Sequence, residues 1–426
     1  MKFTSGPSSS SANDSGDSAV PVVLFGRSSL PHVVSAGASV GETFRRRELL
    51  PSPLAWDFLS IALSIVAADG VVKRDESPDG WTREFDMQIA VSDLDIWTQQ
   101  VSALSDAFAF LTTDRWRLTF TGGAKHPDPP KKPRFPATDA VALLSGGLDS
   151  LVGAIDLSAQ GKRLLPISQT VRGDRATQKR FAALAGAGSE HLQLNHNANT
   201  PRFAKETSQR SRSLLFLAFA TIAATATDRY HSGGTVPIYI CENGFIAMNP
   251  PLTGARVGSL STRTAHPHFL GCIQEIFDVL GLRIEIRNPY LEKTKGEMLR
   301  GCLDQDLLAA EASNSTSCGR YQRFNYTHCG RCIPCQIRRA SFLGSELTDE
   351  TKYVYEDLGR TDEDHAGFDD VRSVAIARLI TRDEGISRWL GPSLSSPRIS
   401  NRQALQDMLD RGLNELSALH THYAIL

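Results

Sequence analysis

Short apolar runs separated by polar turns recur along the whole chain, and from Ala140 onward they alternate in type. Val141–Leu144 reads as a strand and Ser150–Gln160 as a helix. Arg163–Ser168, His191–Leu194, Pro237–Cys241 and Arg283–Ile286 read as further strands. Arg175–Ala187, Arg212–Asp228 and His268–Leu280 read as the helices between them. Strands alternating with helices predict an α/β fold with a doubly wound parallel sheet. Ligands on such sheets bind at the carboxyl ends of the strands. Before this region the pattern is less regular. Residues 1–18 are polar and low in complexity, which predicts a disordered tail. Over 19–121 the apolar stretches Val20–Phe25, Leu54–Ala67, Phe85–Val91 and Trp116–Phe120 suggest a small N-terminal α+β domain. Within it, Leu59–Val66 fits a helix or a strand equally. Residues 122–137 hold five prolines and read as a linker. After 345 an acidic stretch precedes two helix-like segments, Asp369–Thr381 and Asn401–His420, so 346–426 reads as a helical C-terminal extension.

Composition narrows the function. The chain has 426 residues, enough for two to three domains, with 41% hydrophobic and 22% charged residues. A formal net charge of −1 implies no bulk attraction to nucleic acid. No long uninterrupted apolar run or secretory signal pattern is evident, so neither a membrane nor a nucleic acid is expected as a partner. All seven cysteines fall in the second half. Cys318, Cys329, Cys332 and Cys335 are spaced C-x10-C-x2-C-x2-C, which reads as metal binding in a reducing cytoplasm. Four thiolates suit structural Zn2+; an iron–sulfur cluster is the alternative. His328 is read as a neighbour of this site, not a ligand. Arg331, Arg338 and Arg339 flank it.

The densest chemistry lies at Ser145-Gly146-Gly147-Leu148-Asp149-Ser150, where the first strand of the alternating region turns into a helix. Two glycines let the backbone approach an anion, and the helix N-terminus presents N–H groups to it. Ser145 and Ser150 offer hydroxyls. Asp149 can cap the helix or help hold a Mg2+ ion. No G-x-x-x-x-G-K-[ST] or G-x-G-x-x-G pattern is present. Ser168 ends the second strand. Arg210 and Arg212 open a helix against its dipole, so phosphate, a carboxylate or a neighbouring acid should favour them. Glu242 and Asn243 follow the fourth strand, placed to bind metal or orient a substrate, although N-G is also a simple turn. Arg263 sits in a polar loop, Ser259–Pro267. Lys295 precedes a short helix and can reach phosphate as a point charge.

The S-G-G-x-D-S turn resembles the PP-loop of ATP pyrophosphatases. With Arg212, Glu242-Asn243-Gly244 and the four cysteines, residues 140–345 resemble the 7-cyano-7-deazaguanine synthase (QueC) family. The resemblance implies a PP-loop domain over 138–345, of the adenine nucleotide alpha hydrolase-like type. It implies ATP bound by Ser145–Ser150, Ser168 and Arg212, and substrate met by Asp149, Glu242, Asn243, Arg263 and Lys295. ATP, Mg2+ and Zn2+ are the implied cofactors. The implied reaction is adenylation of a 7-deazaguanine acid, releasing AMP and pyrophosphate. The extra N-terminal and C-terminal regions, a longer first cysteine gap and a different substrate loop depart from the short enzyme. They resemble the larger QueC-like (QatC-type) proteins of bacterial anti-phage operons. That likeness implies protein partners from the same operon and a product that is a nitrile, an amide or a protein conjugate. A tRNA-modifying PP-loop enzyme and a non-catalytic nucleotide-binding subunit are the alternatives.

Overall fold

A computed structural model describes all residues except 8–18, 171–172, 201–202, 204, 207, 209, 253–262, 359–369 and 426. The polar loop segment Ser259–Thr262 and the acidic residues Asp362–Asp364 therefore lie outside the described residues. Among the described residues ten strands form two five-stranded sheets, and every pairing in them is parallel. The first half of the chain gives β1 (Lys2–Gly6), β2 (Val20–Leu24), β3 (Val34–Ala36), α1 (Ala38–Arg46), α2 (Pro53–Val71), β4 (Glu84–Ala90), α3 (Leu94–Thr98), α4 (Val101–Thr112) and β5 (Arg115–Thr121). The second sheet is built from β6 (Ala140–Leu143), α5 (Leu148–Ala159), β7 (Leu164–Gln169), α6 (Arg175–Leu184), β8 (Leu192–Leu194), α7 (Arg212–Ala224), α8 (Asp228–His231), β9 (Val236–Tyr239), α9 (Gly244–Met248), α10 (Pro267–Val279) and β10 (Ile284–Arg287). Beyond it run α11 (Lys295–Arg300), α12 (Gln305–Glu311), α13 (Ile333–Ser345), α14 (Asp370–Glu384), α15 (Ile386–Leu390) and α16 (Arg402–His422).

The strand orders are β3-β2-β1-β4-β5 and β10-β9-β6-β7-β8. Each sheet, counted along its own stretch of chain, has the same order, and that order reverses beside its first strand. Reversal leaves a crevice at the strand's carboxyl end. In the second sheet the first strand is β6, so the crevice opens where Ser145–Ser150 follows it. This sheet, with helices on both faces, is the doubly wound fold of the PP-loop type.

Two expectations change. The N-terminal half is a parallel sheet accompanied by α1 to α4, not an α+β domain. Residues 2–6, expected within the tail, form its central strand. Phe3 is buried against Phe85, with ring centroids 6.2 Å apart. It pairs with Val20 on one side and Met87 on the other. Phe3→Ala is expected to lower the unfolding free energy by about 3 kcal/mol. An unchanged denaturant midpoint would contradict the central placement of β1.

The undecided stretch Leu59–Val66 is helical. Ser52 caps α2 by accepting from the Ala55 N–H, and Pro53 occupies its first turn. By length and composition α2 could cross a membrane, with a mean hydropathy of 1.6, yet 94% of that window is buried inside the protein. An all-round apolar helix marks a core position. One face of α2 meets β2, β3 and β4, and another meets α7, which covers β6, β7 and β9. A single apolar core therefore runs from Phe3 to Ile284 and joins both sheets. The C-terminal helices form a further core in which Leu405, Met408, Leu409 and Leu413 pack with Phe245 and Met248 of α9.

Candidate active site

The turn after β6 is shaped by its glycines. Gly146 has φ +86°, a left-handed conformation that costs other residues strain. A side chain on Gly147 would press on the Thr316 carbonyl oxygen. Gly147 is also the N-cap of α5, with no side chain capping the helix. The first N–H groups of a helix lack intrahelical acceptors, and here they border a cleft of about 200 Å³ lined by Ser145, Leu148, Asp149, Ser150, Glu242 and Lys295. That is below the roughly 300–1,000 Å³ of drug-sized ligand pockets, and suits a phosphate group more than a whole nucleotide. Ser145 and Ser150 hydroxyls lie 3.2 Å apart, and Ser150 donates to the Gly147 carbonyl.

The charges inside the cleft are buried and interlocked. Lys295 Nζ lies 2.6 Å from Asp149 Oδ1, and both side chains are under one-tenth exposed. Asn243 donates to Asp149 Oδ2 from its backbone at 3.1 Å and its side chain at 2.6 Å. Its own Oδ1 accepts from the Ile246 N–H and caps α9. Burial pushes the Asp149 carboxyl up, but Lys295 and these donors outweigh it and hold the group ionised below its usual range. Glu242 has the opposite fate: burial and the adjacent Asp149 charge push it well above the usual carboxylate range. The two acids of the cleft are thus driven apart, Asp149 toward its charged form and Glu242 toward its neutral one.

Lys295 is placed by helix α11. Thr294 and Glu297 form a capping box at its start. Glu415 of α16 reaches the same turn, accepting from the Thr294 hydroxyl and from the Gly296 N–H at 3.3 Å. Residue pattern alone did not reveal Glu415, because its partner lies 121 positions upstream.

The four cysteines converge beside the cleft. Their sulfurs all lie within 4.8 Å of one another, with Cys318–Cys332 and Cys329–Cys335 at 3.9 Å. Zinc–sulfur bonds of about 2.3 Å at tetrahedral angles put sulfurs ~3.8 Å apart, so the set fits zinc. Backbone N–H groups of Arg320, Cys329 and Cys332 point at these sulfurs. His328 is not a ligand: its Nε2 accepts from the Ser317 N–H at 3.1 Å. The metal loop borders the cleft through Thr316, Ser317 and Pro334, and the Thr316 N–H donates to the Gly146 carbonyl. Arg338 is buried and holds that edge from behind, through Ser315, Ser317 and Thr351. Arg331 and Arg339 bind backbone carbonyls of Asp357 and Glu356. These arginines tie the metal loop to the chain after α13 and do not line the cleft.

Three expected site residues stand elsewhere. Ser168 is fully buried, donating to the Leu144 carbonyl and meeting His191 Nε2, so it braces β6 and β7. Arg212 is exposed at the start of α7 and is not among the cleft's residues. The acid that favours this helix start is Asp69 of α2, which accepts from the Arg210 and Ser211 N–H groups and the Ser211 hydroxyl. Arg263 is half-buried in a different cavity.

A PP-loop turn, a buried Lys–Asp pair and an adjoining four-cysteine site occur together here, and relatives with known names share sequence with the chain. It is similar to the 7-cyano-7-deazaguanine synthases. The Hydrogenovibrio crunogenus synthase is 25% identical over 241 residues, covering 50% of this chain and 95% of that protein. The Acinetobacter baylyi synthase is 25% identical over 242 residues, with the same shares covered. The Methanocaldococcus jannaschii synthase is 31% identical over 74 residues, covering 17% of this chain and 32% of that protein. No protein-family model and no solved structure matches the chain. The synthases thus match about half of this chain.

Proposed function

We propose that the chain is an ATP-dependent synthase that adenylates the carboxylate of a 7-deazaguanine acid. The observation that carries this reading is the uncapped Ser145–Ser150 turn closing on a buried Lys295–Asp149 pair. The similarity to 7-cyano-7-deazaguanine synthases supports the substrate class. A carboxylate is a poor electrophile, and an acyl-adenylate is a good one. The substrate oxygen attacks the α-phosphorus of ATP, and the bond to the bridging oxygen breaks, so pyrophosphate leaves. The N–H groups of the turn and the Ser145 and Ser150 hydroxyls bind that pyrophosphate. Lys295 offsets its charge. Asn243 holds Asp149, and Asp149 holds Lys295. No side-chain nucleophile is needed. Mg2+, when bound, shields phosphate charge, and Asp149 and Glu242 are the acids at hand for it. Zinc in the four-cysteine site is structural and fixes the Thr316–Ser317 edge.

An amine then displaces AMP. Ammonia gives an amide, and a second activation with loss of water gives a nitrile; a protein amine gives a conjugate. The N-terminal sheet and the C-terminal helices enlarge the chain well beyond the synthases, which supports a specialised role. We assign that role to anti-phage defence in the cytoplasm, beside proteins of the same operon. Purified protein incubated with ATP, Mg2+ and 7-carboxy-7-deazaguanine is expected to form AMP and pyrophosphate in equal amounts. Formation of ADP and phosphate in their place would overturn the mechanism.

A further inference from the structure

Arg263 has no carboxylate partner among the described residues. It lines a cavity of about 750 Å³, together with Phe110 of α4, Met248 of α9, His266, and Trp389 and Leu390 of α15. That volume falls within the range of small-molecule sites. The guanidinium lies over the Phe110 ring at 4.7 Å and donates to the Phe110 carbonyl at 3.0 Å. Among the described residues no carboxylate pairs with it, and burial holds its pKa below the usual arginine range. Arg210 is near enough for the two positive charges to repel. A half-buried cation with no counter-charge among the described residues is unfavourable, and an anion relieves it.

His266 adds a donor. It is 6% exposed, and its Nδ1 accepts from the His268 N–H at 3.2 Å. Burial pushes its pKa down to about 3, so the ring is neutral. With Nδ1 accepting, the proton is on Nε2, and that N–H has no protein partner among the described residues. Phe110 lies 5.0 Å from the His266 ring, centroid to centroid, and Trp389 adds another flat wall. One cation and one N–H donor set among aromatic walls match a flat ring that carries an anionic group.

We propose that this cavity is a second ligand site, taking a planar ring compound with a carboxylate or phosphate group. Arg263 is its counter-charge, His266 its second donor, and Phe110 and Trp389 its walls. The site is separate from the cleft at Ser145–Ser150, and it stands or falls without the ATP reaction.

Calorimetric titration of the full chain tests it with three probes that share one ring: 2-naphthoate, 2-naphthyl phosphate and 2-naphthamide. At least one anionic probe is expected to bind tenfold or more tightly than the amide. Whichever anion binds more tightly tells carboxylate from phosphate. Arg263→Gln is expected to erase the preference, and Arg263→Lys, which keeps the charge and guards against a folding defect, to retain most of it. Equal binding of all three probes, or binding of none, would overturn the assignment. So would anion binding that appears only after Asp362→Asn, Glu363→Gln and Asp364→Asn are combined, since the chain's own acids would then be the partners of Arg263.

Discussion

Asp149→Ala is expected to lower AMP formation by about 10²-fold or more, the scale seen when one charge-stabilising group is removed from an active site. The size follows from what Asp149 touches. Its carboxylate holds Lys295 at 2.6 Å on one oxygen and two Asn243 donors on the other. Removing it frees the ammonium from its fixed direction and leaves a buried positive charge unpaired. Losing one partner of a buried pair costs about 3–5 kcal/mol of stability. The variant should therefore be both slower and less stable, and the two effects must be separated. Asp149→Asn combined with Lys295→Met removes both charges and should recover much of the stability while staying inactive. Chromatographic measurement of AMP alongside a thermal unfolding curve reads both quantities. Activity within threefold of the wild type in Asp149→Ala would remove this cleft from the reaction.

Loss of the metal is expected to have the second largest effect. Purified protein should carry one zinc per chain and no visible absorption, whereas an iron–sulfur cluster would colour it. Cys332→Ser should bind less than one-tenth of the zinc, cleave readily in the 315–336 segment under limited proteolysis, and form little AMP. Structural zinc contributes on the order of 10 kcal/mol in small zinc-dependent folds. Here the contribution is spent on a local loop, since the larger apolar cores of the two sheets lie apart from the cysteines. Far-ultraviolet circular dichroism should change little, although the cleft edge at Thr316 and Ser317 is lost. Metal-free protein, purified under reducing conditions, that retains full AMP formation would refute the structural role.

The features that could be read from sequence were those whose cause is local. An apolar strand, two glycines and a helix start lie within ten residues, so the turn at Ser145–Ser150 is visible as a unit. The cysteine spacing is visible for the same reason. The alternating strands from Val141 to Ile286 were found within a residue or two of their observed ends, because each packs a short apolar run. What escaped depends on distant chain. Lys2–Gly6 has polar Thr4 and Ser5, and only pairing with Val20–Val23 and Asp86–Ile89 makes it a strand. At Arg210 and Arg212 the residues leave phosphate, a carboxylate and a neighbouring acid open, and the resemblance alone points Arg212 to ATP; the acid at this helix start is Asp69, 141 and 142 positions before Arg210 and Ser211, whose N–H groups it accepts from. Arg263 stands in a polar loop with many donors, and its contacts with Phe110 of α4 place it in a different cavity.

The contact between Glu415 and the start of α11 sets a schedule for the newborn polypeptide. Lys295 and its turn leave the ribosome long before α16 does, so the cleft has its ammonium but not the carboxylate that steadies the turn beneath it. Chains that stop upstream of α16 lack the Glu415 support of the turn before Lys295. A chain cut before α16 is expected to hold the Thr294 turn less firmly, because the Glu415 side chain that accepts from it is missing.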